Sequence, residues 1–294
     1  MGDRVVSDMN LLVIGLGFSG SAIASLAARS GIRVTGTVRD LRAASAPHGV
    51  QLVGFDDAAA FANATHLVVT TPPGPMGDPV WALHERALRA APLRWIGYLS
   101  TTGVYGDRAG EWVDEGTPPS PGQARSRRRL DAELQWAGLG SRLAVDLFRT
   151  AGIYGPGRNA FADLRAGSAR RVIKPGHTFG RIHRDDIARA VLAALLGSQR
   201  PGPRVLHLAD DEPAAPAEVT AEAARLLGIP PPSGISFAEA WAGMSEMGRS
   251  FWSENRRVSS IGTKAALGLD WAYPSYREGL RAILAEERAE GAPE

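Results

Sequence analysis

The chain has 294 residues, a formal net charge of +2 and no cysteine. These values exclude disulfides, thiol nucleophiles and cysteine metal sites, and so small a net charge gives no reason to expect an anionic polymer as partner. No apolar run approaches the roughly 18 residues of a membrane span, and the N-terminal segment is unlike a signal peptide. We therefore expect a cytoplasmic protein that does not enter the membrane.

Strand-like and helix-like segments alternate along most of the chain. The predicted strands are "NLLVIGLG", "IRVTGTVR", "VQLVGF", "HLVVTTPPG", "LRWIGYLST", "RLAVDLFRTAG" and "RVLHLAD". The predicted helices are "SGSAIASLAARSG", "DAAAFANA", "DPVWALHERALRAA", "SRRRLDAELQWAG" and "DDIARAVLAALLG". This alternation is typical of βαβ units. It predicts an α/β protein with a Rossmann-type doubly wound parallel sheet, in which the first strand lies beside the fourth.

The composition shifts toward Gly, Pro and short elements after Tyr154. We assign residues 1–210 to a dinucleotide-binding domain, with 156–182 partly on the substrate side. Residues 211–294 would form a smaller, mostly helical C-terminal substrate lobe, interleaved with the main domain. Within that lobe an apolar stripe at helical spacing could line a small-molecule pocket or simply belong to a core. The stripe consists of Met244, Met247, Phe251 and Trp252.

A glycine-rich loop joins the first predicted strand to the first helix. Gly15 allows a tight turn, Gly17 lets the backbone approach a pyrophosphate, and Gly20 allows close helix packing. The N-terminus of the helix supplies N–H donors and the positive end of its dipole. The loop therefore predicts a dinucleotide site, to which we also assign its neighbours Phe18 and Ser19.

The end of the second strand predicts which dinucleotide is bound. An NAD site usually has an acidic residue there, but this chain has Arg39 followed by Asp40. Because a guanidinium can donate two parallel bonds to a 2′-phosphate, we favour NADP, with NAD as the alternative if Asp40 binds the ribose. The cofactor set further includes Asp56 after the third strand, and Thr70, Thr71 and Pro72 after the fourth.

The chain resembles the extended short-chain dehydrogenase/reductase family, which contains NAD(P)-dependent epimerases, dehydratases and reductases. The resemblance rests on "VIGLGFSG", "YLSTTGVYGD", "DEGTPPSP", "FRTAGIYGPGR", "GRIHRDDIARAV" and "HLADDEPAAP", which follow one another in the family's order. Each motif is modest by itself, but the ordered set covers most of the chain and is specific.

The resemblance also implies a catalytic pattern from which this chain departs. Members normally carry a Ser or Thr on the fifth strand, which corresponds to Thr101, and then Tyr-x-x-x-Lys at the start of the next helix. The Tyr position falls on Arg125 and the Lys position on Arg129. Arg129 could replace the Lys as a donor to the nicotinamide ribose. Arg125 cannot replace the Tyr, because a guanidinium has no proton to transfer near neutral pH.

The cluster of arginines after Gln123 allows two further interpretations. It could be a solvated basic helix face, with i,i+4 pairs from Arg127 to Asp131 and from Arg129 to Glu133. Nucleic-acid binding is not expected, because no aromatic stacking platform accompanies the arginines. The scattered histidines also predict no metal site.

Two classes of function remain open at this stage. The first is an oxidoreductase or epimerase that acts on a small carbonyl, hydroxyl or sugar-like substrate with a non-standard proton donor. Tyr105, together with Thr101, is our catalytic assignment, and Tyr98, Tyr154 and His183 are other chemically suitable donors. The second is a non-catalytic NADP-binding redox sensor or scaffold. In either case the expected partner is a small molecule, and the protein could be a homodimer.

Overall fold

The computed structural model describes residues 8–197 and 199–290. Its centre is a parallel sheet of seven strands in the order β3-β2-β1-β4-β5-β7-β11. These strands are β1 (Asn10–Ile14), β2 (Arg33–Val38), β3 (Val50–Gly54), β4 (His66–Val69), β5 (Trp95–Thr101), β7 (Ala144–Thr150) and β11 (Gly202–Leu208). The chain order reverses direction across the sheet between β1 and β4, which is where a doubly wound sheet binds its ligand.

Helices cover both faces of the central sheet. The helices of the described residues are α1 (Phe18–Arg29), α2 (Pro79–Ala90), α3 (Ala124–Ala137), α4 (Ala160–Arg165), α5 (Arg184–Leu196), α6 (Pro216–Leu227), α7 (Phe237–Ala242), α8 (Glu246–Trp252), α9 (Ile261–Leu267) and α10 (Tyr276–Glu290). α1 and α5 pack against one face, and α2 and α3 pack against the other. Coverage on both faces explains why the central strands are continuous apolar runs.

Strand β1 shows how the sequence produces a sheet with helices on both faces. Leu11 and Val13 point into the core beneath α1 and α5, whereas Leu12 and Ile14 point into the core beneath α2 and α3. All four side chains are almost completely buried. Since successive side chains of a strand alternate between faces, a run of apolar residues fits only a strand that is covered on both sides.

Six short strands lie outside the central sheet and form three parallel pairs. They are β6 (Trp112–Val113), β8 (Gly152–Tyr154), β9 (Arg171–Ile173), β10 (Arg181–His183), β12 (Gly234–Ser236) and β13 (Arg257–Val258). β8 pairs with β10, β9 with β12, and β6 with β13. β8, β9 and β10 come from the middle of the chain, and the C-terminal helices α6 and α10 share a third core with Tyr154 and Phe161. Elements of the C-terminal segment thus pair and pack with earlier parts of the chain.

The structure confirms the predicted fold class. All seven predicted strands are present and parallel, and β1 lies between β2 and β4. The helix predicted from "DAAAFANA" is wrong, because only one 3₁₀ turn forms over Ala58–Phe61. Asp57 caps the start of that turn, and β4 begins at His66, so the segment is too short for a stable helix.

The predicted domain limits include residues 1–7 and 291–294, which lie outside the described residues. None of the helices in the described part of the chain has the length and apolar character that crossing a bilayer requires.

Candidate cofactor and substrate site

The glycine loop between β1 and α1 has the shape of a phosphate cradle. Gly15 adopts a φ of +95°, which side chains disfavour, and a Cβ added at Gly20 would lie 2.0 Å from the Gly15 carbonyl oxygen. Gly17 differs from both, because a Cβ there would meet no protein atom within 4 Å. The first and third glycines are therefore required by the fold itself, and the second faces open space that a ligand could enter.

Donor groups surround this open space. Helix α1 begins at Phe18 with no side-chain cap and no acidic residue in its first turn, where Ser19 is buried. The Thr70 hydroxyl donates to the Gly15 carbonyl at 2.6 Å and so ties the end of β4 to the loop. In the described residues the buried Thr71 hydroxyl has no hydrogen-bond partner. Unpaired donors around an open cradle fit the pyrophosphate of a dinucleotide.

Two arginines that the sequence analysis did not select also lie beside this loop. The guanidinium carbons of Arg158 and Arg184 lie 5.6 Å and 5.1 Å from the ring centroid of Phe18. They come from the loop after β8 and from the first position of α5. Only their positions in "YGPGR" and "HRDD" could have drawn attention to them. Arg184 forms an ion pair with Asp185 at 3.0 Å, so the positive charge next to the predicted phosphate position comes mainly from Arg158.

The end of β2 carries the residues that were predicted to select the dinucleotide. Arg39 is exposed directly after β2, and Asp40 uses its Oδ1 to accept a bond from the backbone N–H of Arg42 at 2.9 Å. Asp56 is also exposed, after the neighbouring strand β3. Arg39 and Asp56 thus follow adjacent strands at the same edge of the sheet.

A cavity of about 650 Å³ lies at the carboxyl ends of β4, β5 and β7. Pro72 and Pro73 line it after β4, Thr101 lines it at the end of β5, and residues 150–154 line it after β7. Helices α3 and α8 and the turn before β10 supply the remaining walls. The cavity has the volume of a small-molecule site. It brings together Thr101, Arg125 and Arg129, which the sequence analysis singled out separately.

Some arginines of the α3 cluster line this cavity, and others face the solvent. Arg129 lines the cavity and donates through Nη1 to the Tyr98 hydroxyl at 3.0 Å and to the Leu99 carbonyl at 2.9 Å. Arg125 also lines the cavity, and its guanidinium carbon lies 4.1 Å from the ring centroid of Phe251. Arg127 is exposed and donates to the Gly122 carbonyl. Two arginines at i and i+4 therefore face the site, as the spacing predicts.

The expected pairs along α3 do not form. Glu133 is buried and binds Arg149 of β7, with Oε2 and Nη2 2.7 Å apart, so it does not pair with Arg129. Among the described residues there is likewise no ion pair between Arg127 and Asp131. The pairing predicted for Glu133 was wrong because α3 packs against β5 and β7, which turns Glu133 toward the sheet. The pairing predicted for Arg127 was wrong because its guanidinium binds the Gly122 carbonyl instead.

Tyr105, our first choice as proton donor, lies in a buried polar network and does not line the cavity. Its hydroxyl accepts a bond from Arg149 Nη1 at 2.7 Å and lies 2.5 Å from His207 Nε2. His207 Nδ1 faces the Ser259 carbonyl, which can only accept, so Nε2 is the acceptor for the Tyr105 hydroxyl. Burial raises the pKa of Tyr105 and lowers that of His207. This network joins the turn after β5 to β7 and β11 rather than opening toward a substrate.

The other three candidate donors have different environments. Tyr98 is buried against Trp136, and burial raises its pKa to about 12 despite the opposing charge of Arg129. His183 is buried and caps α5 by accepting from the Asp185 N–H, and burial lowers its pKa. Tyr154 alone lines the cavity, and its hydroxyl donates to the Ser275 carbonyl at 3.3 Å. Burial raises the pKa of Tyr154 as well.

The predicted apolar stripe around α8 is not part of a core. Met247 is 68% exposed and Phe251 is 52% exposed, and none of the residues of α8 is buried. Phe251 and Trp252 line the cavity instead. Next to them are Glu254 and Arg256, which are joined by a 2.8 Å ion pair and which the sequence analysis did not select.

Within the described residues no group of three His, Asp or Glu side chains could hold a metal ion.

Comparison with known proteins agrees with this architecture. A solved structure of a conserved protein of unknown function from Silicibacter pomeroyi is 41% identical, covers 95% of this chain and 99% of its own, and has a TM-score of 0.86. A protein from Methylobacillus flagellatus, described as an NAD-dependent epimerase/dehydratase, is 25% identical, covers 96% and 100%, and has a TM-score of 0.72. The chain belongs to the extended short-chain dehydrogenase/reductase family. No protein-family profile matches it.

One relative in this family has a named activity. It is the 3-diazoavenalumate denitrifying reductase of a Streptomyces species, which is 32% identical over 212 residues. The matched region covers 66% of this chain and 66% of the reductase. A reductase thus occurs among the relatives of this chain, alongside the protein described as an epimerase/dehydratase.

Proposed function

We propose that the chain is an NADPH-dependent oxidoreductase that acts on a small substrate without a tyrosine as proton donor. The observation that carries the proposal is the cavity of about 650 Å³, which Thr101, Arg125 and Arg129 line together at the carboxyl ends of the strands. A dinucleotide held by the glycine loop would extend along this edge of the sheet. Bound NADPH would supply a hydride to the substrate.

The arginines would supply electrostatic stabilisation in place of proton donation. A substrate that gains a hydride at an electron-poor atom, such as a carbonyl carbon, develops negative charge on the neighbouring atom. Arg125 would donate a hydrogen bond to that atom, and the Thr101 hydroxyl would orient it. Because a guanidinium keeps its proton near neutral pH, the proton that completes the reaction would come from water in the cavity. Tyr105 would then have a structural role.

The direction of the reaction is proposed as reduction. The name of the Streptomyces relative supports this direction, because that protein is a reductase.

The second candidate is a non-catalytic NADP-binding redox sensor or scaffold, which the arginines at positions 125 and 129 support. The test is NADPH oxidation with a panel of aldehydes, ketones and nucleotide-sugars. Turnover of any of them supports the enzyme, and tight NADPH binding without turnover supports the sensor.

The proposed preference for NADP gives a first prediction. If exposed Arg39 binds the 2′-phosphate, NADPH should bind at least about tenfold more tightly than NADH, equivalent to about 1.4 kcal/mol. Arg39→Asp should abolish or reverse this preference, because a carboxylate repels the phosphate and accepts bonds from a ribose. Titration calorimetry with both cofactors measures the ratio. Equal affinities in the unmodified protein would mean that Arg39 does not select the cofactor.

The proposed ribose contact of Arg129 gives a second prediction. Arg129→Ala removes a charge-assisted donor worth about 1.5–3 kcal/mol, so NADPH affinity should fall about tenfold or more. Arg127→Ala, an exposed position on the same helix, should leave NADPH affinity unchanged. The two variants are compared by titration at low and high salt. Equal losses that disappear at high salt would show that the cluster acts only as diffuse charge.

A further inference from the structure

The wall of the cavity carries an excess of positive charge. Four arginines line it, together with a single carboxylate, that of Glu254. This carboxylate already has a partner, because its Oε2 accepts from Arg256 Nη1 at 2.8 Å. Arg125 forms no ion pair within residues 8–197 and 199–290, and it interacts with the ring of Phe251 instead. The charge of Arg125 therefore has no counterion among the residues that the structure describes.

The geometry around Arg125 leaves its donors available. A guanidinium over an aromatic ring keeps its N–H groups in its own plane, where they can still bind an anion. Burial lowers the pKa of neighbouring Arg256, and the charge of Arg125 acts in the same direction. Helix α3 begins immediately before Arg125 with neither a side-chain cap nor an acidic residue in its first turn. An anion between the two guanidiniums would relieve their repulsion.

Two further features describe the rest of the ligand. Phe251, Trp252 and Phe179 line the cavity with aromatic surface, and the last two rings lie 5.3 Å apart. Oε1 of Glu254 is buried in the same wall and has no hydrogen-bond partner among the described residues. A ligand with a flat ring and a hydroxyl or amino group would cover the aromatic surface and satisfy this acceptor.

We propose that the cavity binds a planar aromatic carboxylate as substrate. Its carboxylate would accept hydrogen bonds from Arg256 and from those N–H groups of Arg125 that do not bind the reacting atom. Its ring would lie against Phe251 and Trp252. This inference rests on the proposed function, because the substrate would share the cavity with the nicotinamide. The shared volume of about 650 Å³ favours an acid with a single ring system over a bulky nucleotide-sugar.

A matched pair of ligands tests the proposal. 4-Hydroxycinnamate and its amide have the same shape and differ in charge, so titration calorimetry with each isolates the contribution of the carboxylate. With saturating NADP⁺, the acid should bind about tenfold or more tightly than the amide. Arg125→Gln should remove this difference. Arg127→Gln, an exposed substitution on the same helix, should retain it.

Three results would overturn the inference. They are equal affinities for the acid and the amide, an unchanged preference in Arg125→Gln, and tighter binding of UDP-glucuronate than of the acid. A separate titration with NADPH distinguishes this failure from failure of the proposed function. If NADPH binds and the acid does not, only the substrate class is wrong. If NADPH does not bind, the proposed function is wrong, and titration of the acid without cofactor still tests the anion site.

Discussion

Replacing Arg149 by methionine should lower the free energy of unfolding by about 3–5 kcal/mol, among the largest losses expected for a single substitution in this chain. Arg149 and Glu133 are both almost completely buried, and they form three hydrogen bonds between β7 and α3. Arg149→Met leaves the Glu133 carboxylate without a partner in a site from which water is excluded. It also removes the N–H that binds the Tyr105 hydroxyl. Urea unfolding measures the loss.

Two comparisons make this prediction specific to the buried charge. The double variant Glu133→Leu with Arg149→Met removes both charges, so it should recover most of the stability. Arg89→Met breaks an exposed pair with Glu85 on α2 and should cost no more than about 1 kcal/mol. If Arg149→Met lowered the free energy of unfolding as little as Arg89→Met, water would have to reach Glu133. The described burial of the pair would then be wrong.

The parts of the fold that the sequence predicted correctly are those determined by local pattern. The strands of the central sheet are runs of apolar residues flanked by turn residues, and the βαβ rule then fixes their parallel arrangement. "DAAAFANA" failed because its alanines favour a helix while Asp57 and the nearby start of β4 leave room for only one turn. The pairing of the six short strands outside the central sheet could not be predicted, because two- and three-residue strands carry no pattern.

The site was predictable only where residues adjacent in sequence form it. Gly15, Gly17 and Gly20 lie close together in sequence where β1 leads into α1, so their spacing carries the prediction. Arg158 and Arg184, in contrast, reach Phe18 from separate elements. The same limit explains the uncertainty about Tyr105. Its position after β5 suggested the cavity, but Arg149 and His207, which hold its hydroxyl, are 44 and 102 residues away in sequence. No local pattern encodes such a network.

Substitutions in the glycine loop should separate effects on NADPH binding from effects on the stability of the fold. Gly17→Ala should weaken NADPH binding about tenfold or more, because a Cβ would keep the pyrophosphate from the backbone donors, each worth about 1.5–3 kcal/mol. The stability of the protein should hardly change, since a Cβ at Gly17 meets no protein atom within 4 Å. Titration calorimetry with NADPH and urea unfolding of the same preparation measure the two effects.

Substitution of Gly20, in contrast, should mainly lower the stability of the protein. A Cβ at Gly20 would lie 2.0 Å from the Gly15 carbonyl oxygen, so Gly20→Ala must displace the backbone and should cost about 1–3 kcal/mol of stability. Gly138→Ala is the matched control, because Gly138 has a helical backbone at the end of α3 and open space around its Cβ position. It should change neither quantity. If Gly17→Ala bound NADPH as tightly as the unmodified chain, the dinucleotide would not approach this loop, because the added Cβ would occupy the open space that the pyrophosphate needs.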